Sequence, residues 1–258
     1  RRSRTVPRRS RQNGKPVRAI SRPHRLFRVG VGAFFVPGLG CARIARQESR
    51  VTVTVHHLNN SRSQRILWLL EELEADYEIV HYQRDAETNL APPELKHAHP
   101  LGKSPLIYDD GLRVAESGAI IQYLCERHGG KEWLPAPQTE EHVRNMEWMQ
   151  FGESSFFVPV MLKLYTARLG EAAAGLAPRI DEQLAAHVQF AEDNISKDLH
   201  FVGNDWSAAD VMMSFPAEIA VMQGYAEAVP KLARFVEAIH ERPAWQRARE
   251  RGGPYFGW

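Results

Sequence analysis

The sequence predicts two folds in series: an α/β domain of β-α-β-α-β-β-α order over residues 51–134, then an all-helical domain over residues 138–258. Three observations carry this. Up to about residue 130, runs of β-branched and aromatic residues alternate with runs of helical period. The pair Asp110-Gly111 separates two short apolar runs, which is a hairpin signal. Beyond Trp133 five stretches keep a helical period and no strand pattern returns.

The elements follow in order. Residues 51–55 (VTVTV) alternate β-branched side chains and read as a strand. His56 to Asn60 reads as a loop, and Asn60 or Ser61 can cap the helix that follows. Ile66, Leu67, Leu70 and Leu73 give that helix its apolar face, and residues 77–82 (YEIVHY) form a second strand. Strand, helix, strand implies a right-handed crossover and a parallel pair. Residues 91–95 predict a short irregular helix. Residues 105–108 and 112–115 are the arms of the hairpin, with Pro105 restricted to a strand start or an edge. A helix over 117–127, with Ile120, Ile121, Leu124 and Cys125 on one face, closes the domain at Gly129-Gly130.

Pro135 and Pro137 mark the linker. The helical stretches are 143–151, 158–168, 180–194, 208–222 and 232–240, expected to share a small core of their own. Ser207-Ala208-Ala209-Asp210 is a capping-box pattern, and Pro216 should bend the helix that it opens.

Charge is divided unevenly. Residues 1–50 hold thirteen arginines and one lysine against the single Glu48, a net +13, while the remaining 208 residues carry 19 basic and 30 acidic side chains, a net −11. The basic segment has no hydrophobic period, and such a chain cannot bury enough surface to fold. Its Arg-rich, Ser-containing, acid-poor composition fits a transit peptide. No methionine precedes Met146, so a start assigned too far upstream would give the same picture. The expectation is that residues 1–50 are dispensable. They lack the interleaved aromatics of a nucleic-acid platform. The longest uncharged run, between Arg28 and Arg43, falls short of the ~20 apolar residues of a membrane helix. Neither nucleic acid nor membrane is an expected partner. Two cysteines, Cys41 and Cys125, in no CxxC pair exclude a disulfide scaffold and a cysteine zinc site. His56, His57, His97 and His99 show no ligand spacing, so no metal is expected.

Several motifs stand in a fixed order: Asn59-Asn60-Ser61-Arg62-Ser63-Gln64-Arg65 at the first helix, Gly102-Lys103-Ser104-Pro105, Glu116-Ser117, Ser207-Ala208-Ala209-Asp210, and Arg242-Pro243-Ala244-Trp245. Together they resemble the glutathione transferase superfamily over residues 51–258. The Asn-Asn-Ser opening and the His-Pro-Leu-Gly-Lys-Ser-Pro wording resemble its bacterial and fungal branch with Ser or Asn at the active position. The resemblance implies a thioredoxin-like first domain, glutathione as co-substrate, conjugation of its thiolate to a small apolar electrophile, peroxide reduction by glutathione, a role in detoxification, a cytoplasmic setting and a homodimer. A rival is a binding module of the same fold without turnover, since folds of this kind host both.

The implied chemistry needs a thiolate. A cysteine thiol titrates near ~8.5, and lowering it by ~2 units takes about 2.7 kcal/mol of preferential thiolate stabilisation. A helix N-terminus with one added donor can supply this without base or metal. Ser61 is the first candidate donor, Asn60 the second and Ser63 the third. In the family the active position stands five residues before the arginine that here is Arg65, which is Asn60. Ser104-Pro105 resembles the family's cis-proline turn, with the Ser104 main chain facing the glutathione backbone. Glu116 and Ser117 would hold the γ-glutamyl ammonium and carboxylate, and Lys103 the glycyl carboxylate. Among the early aromatics of the helical domain, Trp148, Phe151, Phe156, Phe157 and Tyr165, some could line a co-substrate pocket, with core the commoner role.

Overall fold

A computed structural model describes residues 53–256. The expectations for residues 1–50 and for a strand beginning at Val51 lie outside them. The first domain holds β1 (Val53–Leu58), α1 (Ser63–Glu72), β2 (Tyr77–Tyr82), α2 (Leu95–Ala98), β3 (Leu106–Asp109), β4 (Leu112–Ala115) and α3 (Ser117–Arg127). The sheet order is β2-β1-β3-β4, with β1 parallel to β2 and antiparallel to β3, and β3 antiparallel to β4. Asp110 and Gly111 turn the hairpin with φ of 47° and 77°, as a two-residue turn that matches strand twist requires.

Three local expectations are corrected. β1 continues through His56 and His57 to Leu58, because β2 pairs with its whole length and β3 joins it as far as His56; pairing partners outweigh the weak strand propensity of that segment. The short helix lies at 95–98, after Pro92-Pro93 rather than on them, and those two carbonyls accept its first N–H groups. The first long helix is capped by neither Asn60 nor Ser61. It begins at Ser63 after Arg62, with no side-chain cap, and Ser61 Oγ instead accepts the Ser63 N–H at 3.3 Å.

The helical domain holds α4 (Glu140–Gln150), α5 (Phe157–Leu169), α6 (Ala177–Asn194), α7 (Ala208–Ala220), α8 (Pro230–His240) and α9 (Pro243–Gly252). Wide turns over Phe151–Ser155 and Val221–Tyr225 end α4 and α7. The capping box forms: Asp210 Oδ2 accepts the Ser207 N–H at 2.8 Å and the Ser207 side chain accepts the Asp210 N–H. α7 runs on through Pro216 to Ala220 before the chain departs from regular helix.

The expected separate helical core is also corrected. Buried side chains form one cluster from Val55, Ile66 and Ile120 into Met212, Phe215 and Phe235. α1 lies at its middle, and every side chain from Ser63 to Leu70 is buried. α9, which no apolar period announced, packs along α1. A Cβ on Gly252 would come within 2.9 Å of Leu67 Cδ1 and Gln64 Oε1, so the two helices touch closely there and a larger residue would displace those side-chain ends. Arg242 pairs with Glu72, while Arg247 and Arg251 both reach Glu71, at 2.7 and 3.0 Å. Among the described residues no helix is long and apolar enough to cross a membrane, and no three His, Cys, Asp or Glu side chains are grouped to hold a metal. Cys125 is fully buried, and burial pushes its thiol up to about 12, so it is an inert core group.

Candidate functional site

A cleft of about 850 Å³ opens where the sheet domain meets α5 and α7. Asn60, Ser61, Lys103, Ser104, Pro105, Glu116 and Ser117 all line it, whereas Ser63, the third candidate donor, is buried behind it. Elements far apart in sequence deliver them.

The turn after β1 supplies Asn60 and Ser61. Asn60 has a φ of 50°, a conformation that asparagine tolerates better than most side chains. Its Oδ1 accepts the main-chain N–H of Phe256 at 2.7 Å. Only the oxygen end of the amide can accept, so the NH₂ end is left for the cleft. Arg84, which also lines the cleft, braces the same turn: its Nε donates to the Asn59 carbonyl at 3.1 Å, its Nη2 reaches the Asn60 carbonyl, and its main-chain N–H donates to Asn59 Oδ1 at 2.7 Å.

Ser61 is tied inward. Its Oγ lies 2.8 Å from Ser63 Oγ, which lies 2.9 Å from His57 Nδ1. Burial, with a smaller contribution from His81, holds His57 down to about 4, so the ring is neutral at physiological pH. Ser63 Oγ also donates to the Leu58 carbonyl at 3.3 Å. Ser61, Ser63 and His57 thus form one buried hydrogen-bonded chain behind the cleft.

The loop before β3 carries the cis Ser104–Pro105 peptide, as the family resemblance implied. Ser104 Oγ donates to the His56 carbonyl at 2.9 Å and accepts the Leu58 N–H at 3.3 Å. The hydroxyl therefore stitches the loop to β1 and aligns its main chain along the cleft wall, next to Leu106, the first paired residue of β3. Lys103 is exposed beside it.

Glu116 sits at the start of α3 with a φ of 69° and ψ of 122°. Such backbone in a non-glycine residue costs on the order of 1–3 kcal/mol and collects at ligand sites. It places a carboxylate at the mouth, while the buried Ser117 opens the helix with its amide end toward the cleft.

The far wall is apolar, built from Phe157, Met161 and Tyr165 of α5 with Phe215 and Ile219 of α7. Of the early aromatics, Phe157 and Tyr165 reach the cleft, whereas Trp148, Phe151 and Phe156 pack in the core. Glu153, in the wide turn before α5, pairs with both Arg62 and Arg65, and Arg65 Nη1 donates to the Met212 carbonyl at 2.7 Å. These contacts fix the helical wall against α1. Arg84, Glu153 and Phe256 were not foreseen. Nothing local distinguishes them, because their roles arise only when distant segments meet.

The fold is that of proteins in which a thioredoxin-like domain is joined to a helical domain and a cleft opens between the two. Residues 51–126 match the family profile "Glutathione S-transferase, N-terminal domain". Glutathione S-transferase 1 of Saccharomyces cerevisiae is 30% identical over 222 residues, covering 77% of this chain and 94% of that protein. Glutathione S-transferase 3 of Schizosaccharomyces pombe is 29% identical over 219 residues, covering 77% and 87%. A crystal structure of a glutathione S-transferase from Actinobacillus pleuropneumoniae superimposes with a TM-score of 0.72 at 33% identity, covering 78% of this chain and 93% of that one. The chain belongs to the glutathione S-transferase family.

Proposed function

We propose that the protein is a glutathione transferase that joins the cysteinyl sulfur of glutathione to small apolar electrophiles. The observation that carries this reading is the convergence of Asn60-Ser61, cis Ser104–Pro105 and Glu116-Ser117 on one cleft that also has an apolar wall. Glu116 would face the γ-glutamyl ammonium, the Ser117 hydroxyl and helix amides its carboxylate, the Ser104 main chain the peptide backbone, and Lys103 the glycyl carboxylate. Glutathione is thus co-substrate, and no metal takes part in this reading.

The sulfur would then lie at the Asn60–Ser61 turn. The Asn60 NH₂ supports a role as thiolate donor, because Phe256 fixes its other end. Ser61 is the weaker candidate in the free protein, since its Oγ is already bonded to Ser63 Oγ and accepts the Ser63 N–H. We therefore rank Asn60 ahead of Ser61, reversing the order drawn from sequence. The thiolate attacks the electrophilic carbon, the S–C bond forms, and the leaving group departs with the bonding pair. With a peroxide the same thiolate would attack the outer oxygen, forming the S–O bond of a sulfenic acid as the O–O bond breaks and the alcohol leaves with the bonding pair and a proton; a second glutathione thiol would then displace water to give the disulfide.

Retention on immobilised glutathione followed by conjugation of an activated aryl halide tests the reading. Retention with turnover supports it. Retention without turnover above the solution rate would leave the rival, a binding module, and no retention would dispose of both.

A further inference from the structure

The apolar wall of the cleft is bordered by more positive charge than its own acids can neutralise. Arg62, Arg84, Lys103 and Arg168 line the space against Glu116 and Glu153. Glu153 is already shared between Arg62 and the buried Arg65. Arg84 donates only to neutral carbonyls, those of Asn59, Asn60 and Asn89. Among the described residues no carboxylate pairs with Arg84 or Arg168. Partial burial and the like charges of Arg62 and Arg168 push the Arg84 guanidinium below its ordinary range, consistent with cations gathered at one mouth. Arg168 stands in the last turn of α5, one helical turn beyond Leu164 and Tyr165, which also line the cleft.

If glutathione binds as proposed, its ammonium and two carboxylates engage Glu116, Ser117 and Lys103. That leaves Arg84 and Arg168 facing the second substrate. Charged walls of one sign beside a low-dielectric surface select ligands of the opposite sign. From this surplus, and resting on the transferase reading, we infer that the second substrate is an apolar electrophile that carries an anionic group, a carboxylate or sulfonate. Its apolar body would lie on Phe157, Tyr165 and Phe215, and its anion between Arg84 and Arg168. A guanidinium suits such a group because it presents paired donors to two oxygens.

The test compares an activated aryl chloride bearing a carboxylate with its carboxamide isostere, each rate corrected for the uncatalysed reaction. The carboxylate should show a KM at least about fivefold lower, and added salt should erode the difference. In Arg168→Gln the carboxylate's KM should rise about fivefold more than the carboxamide's. Equal KM values in the parent protein, or equal losses for both probes in the variant, would overturn the inference. Calorimetric binding of the two preformed thioether conjugates reads the same preference without turnover. A protein that binds the carboxylate conjugate more tightly yet conjugates neither probe would refute the transferase reading while upholding the anionic subsite. Equal affinities for the two conjugates would refute the subsite.

Discussion

Asn60 Oδ1 and the main-chain N–H of Phe256 lie 2.7 Å apart although 196 positions separate them in sequence. The last described segment therefore holds a candidate catalytic amide at the beginning of the fold. Ending the chain after Gly252 should free that amide to rotate. Turnover is expected to fall at least tenfold, with a smaller change in the KM for glutathione. Phe256→Ala keeps the N–H and should be much milder. Equal effects of the two changes would show that the ring, not the hydrogen bond, matters.

Removing a main donor to an anion typically costs 10²–10³ in turnover. Asn60→Ala should lose turnover on that scale, and its pH–rate profile should move up toward the free thiol. Ser61→Ala should lose less. In Ser63→Ala the Ser61 hydroxyl loses its inner partner and can turn to the sulfur, so the pKa of bound glutathione, read by thiolate absorbance, should fall. A larger loss in Ser61→Ala than in Asn60→Ala would reverse the ranking of the two donors.

Two buried groups near α1 and α7 pull acid stability in opposite directions. His57 is lowered by burial to about 4, so between about pH 6.5 and 4 the unfolded chain takes up a proton that the folded chain refuses. Its contribution is present above 6.5 and lost as pH falls through 4. Asp210 is raised by burial to about 6, so its contribution is present below its unfolded value and lost as pH rises through 6. Each amounts to on the order of 3 kcal/mol, and they largely cancel. Asp210→Asn should therefore be more destabilising at pH 4 than at pH 6.5 relative to the parent, and His57→Gln the reverse. Urea unfolding across this range gives the comparison; parallel pH curves for all three proteins would contradict it.

A homodimer is the proposed assembly. Val143 and Met146 are about half exposed, one turn apart on α4, an apolar stripe suited to cover by a second copy. Sedimentation at micromolar concentration should give a dimer, and Val143→Glu with Met146→Glu should shift it toward monomer. A parent protein that sediments only as monomer rules the assembly out.

The alternation of strand and helix, the Asp110-Gly111 turn and the Ser207–Asp210 box could be read from the chain because each depends on neighbours a few positions away. His56 and His57 look like loop residues and become strand only because β2 and β3 flank them. α9 escaped notice because Arg242, Arg247 and Arg251 give it a charged face matched to Glu71 and Glu72, not an apolar period. The motif residues of the cleft were legible through the family resemblance. Arg84, Glu153 and Phe256 were not, since each acts on a turn or helix that folding alone brings near.

Among the described residues α9 and Phe256 follow every other element in the chain. A polypeptide interrupted after α8 would carry Asn60, Ser61, Ser104, Glu116 and Ser117, yet the face of α1 that Gly252 covers would stay open and the contact that orients Asn60 would be missing. Such interrupted chains would be sticky along α1.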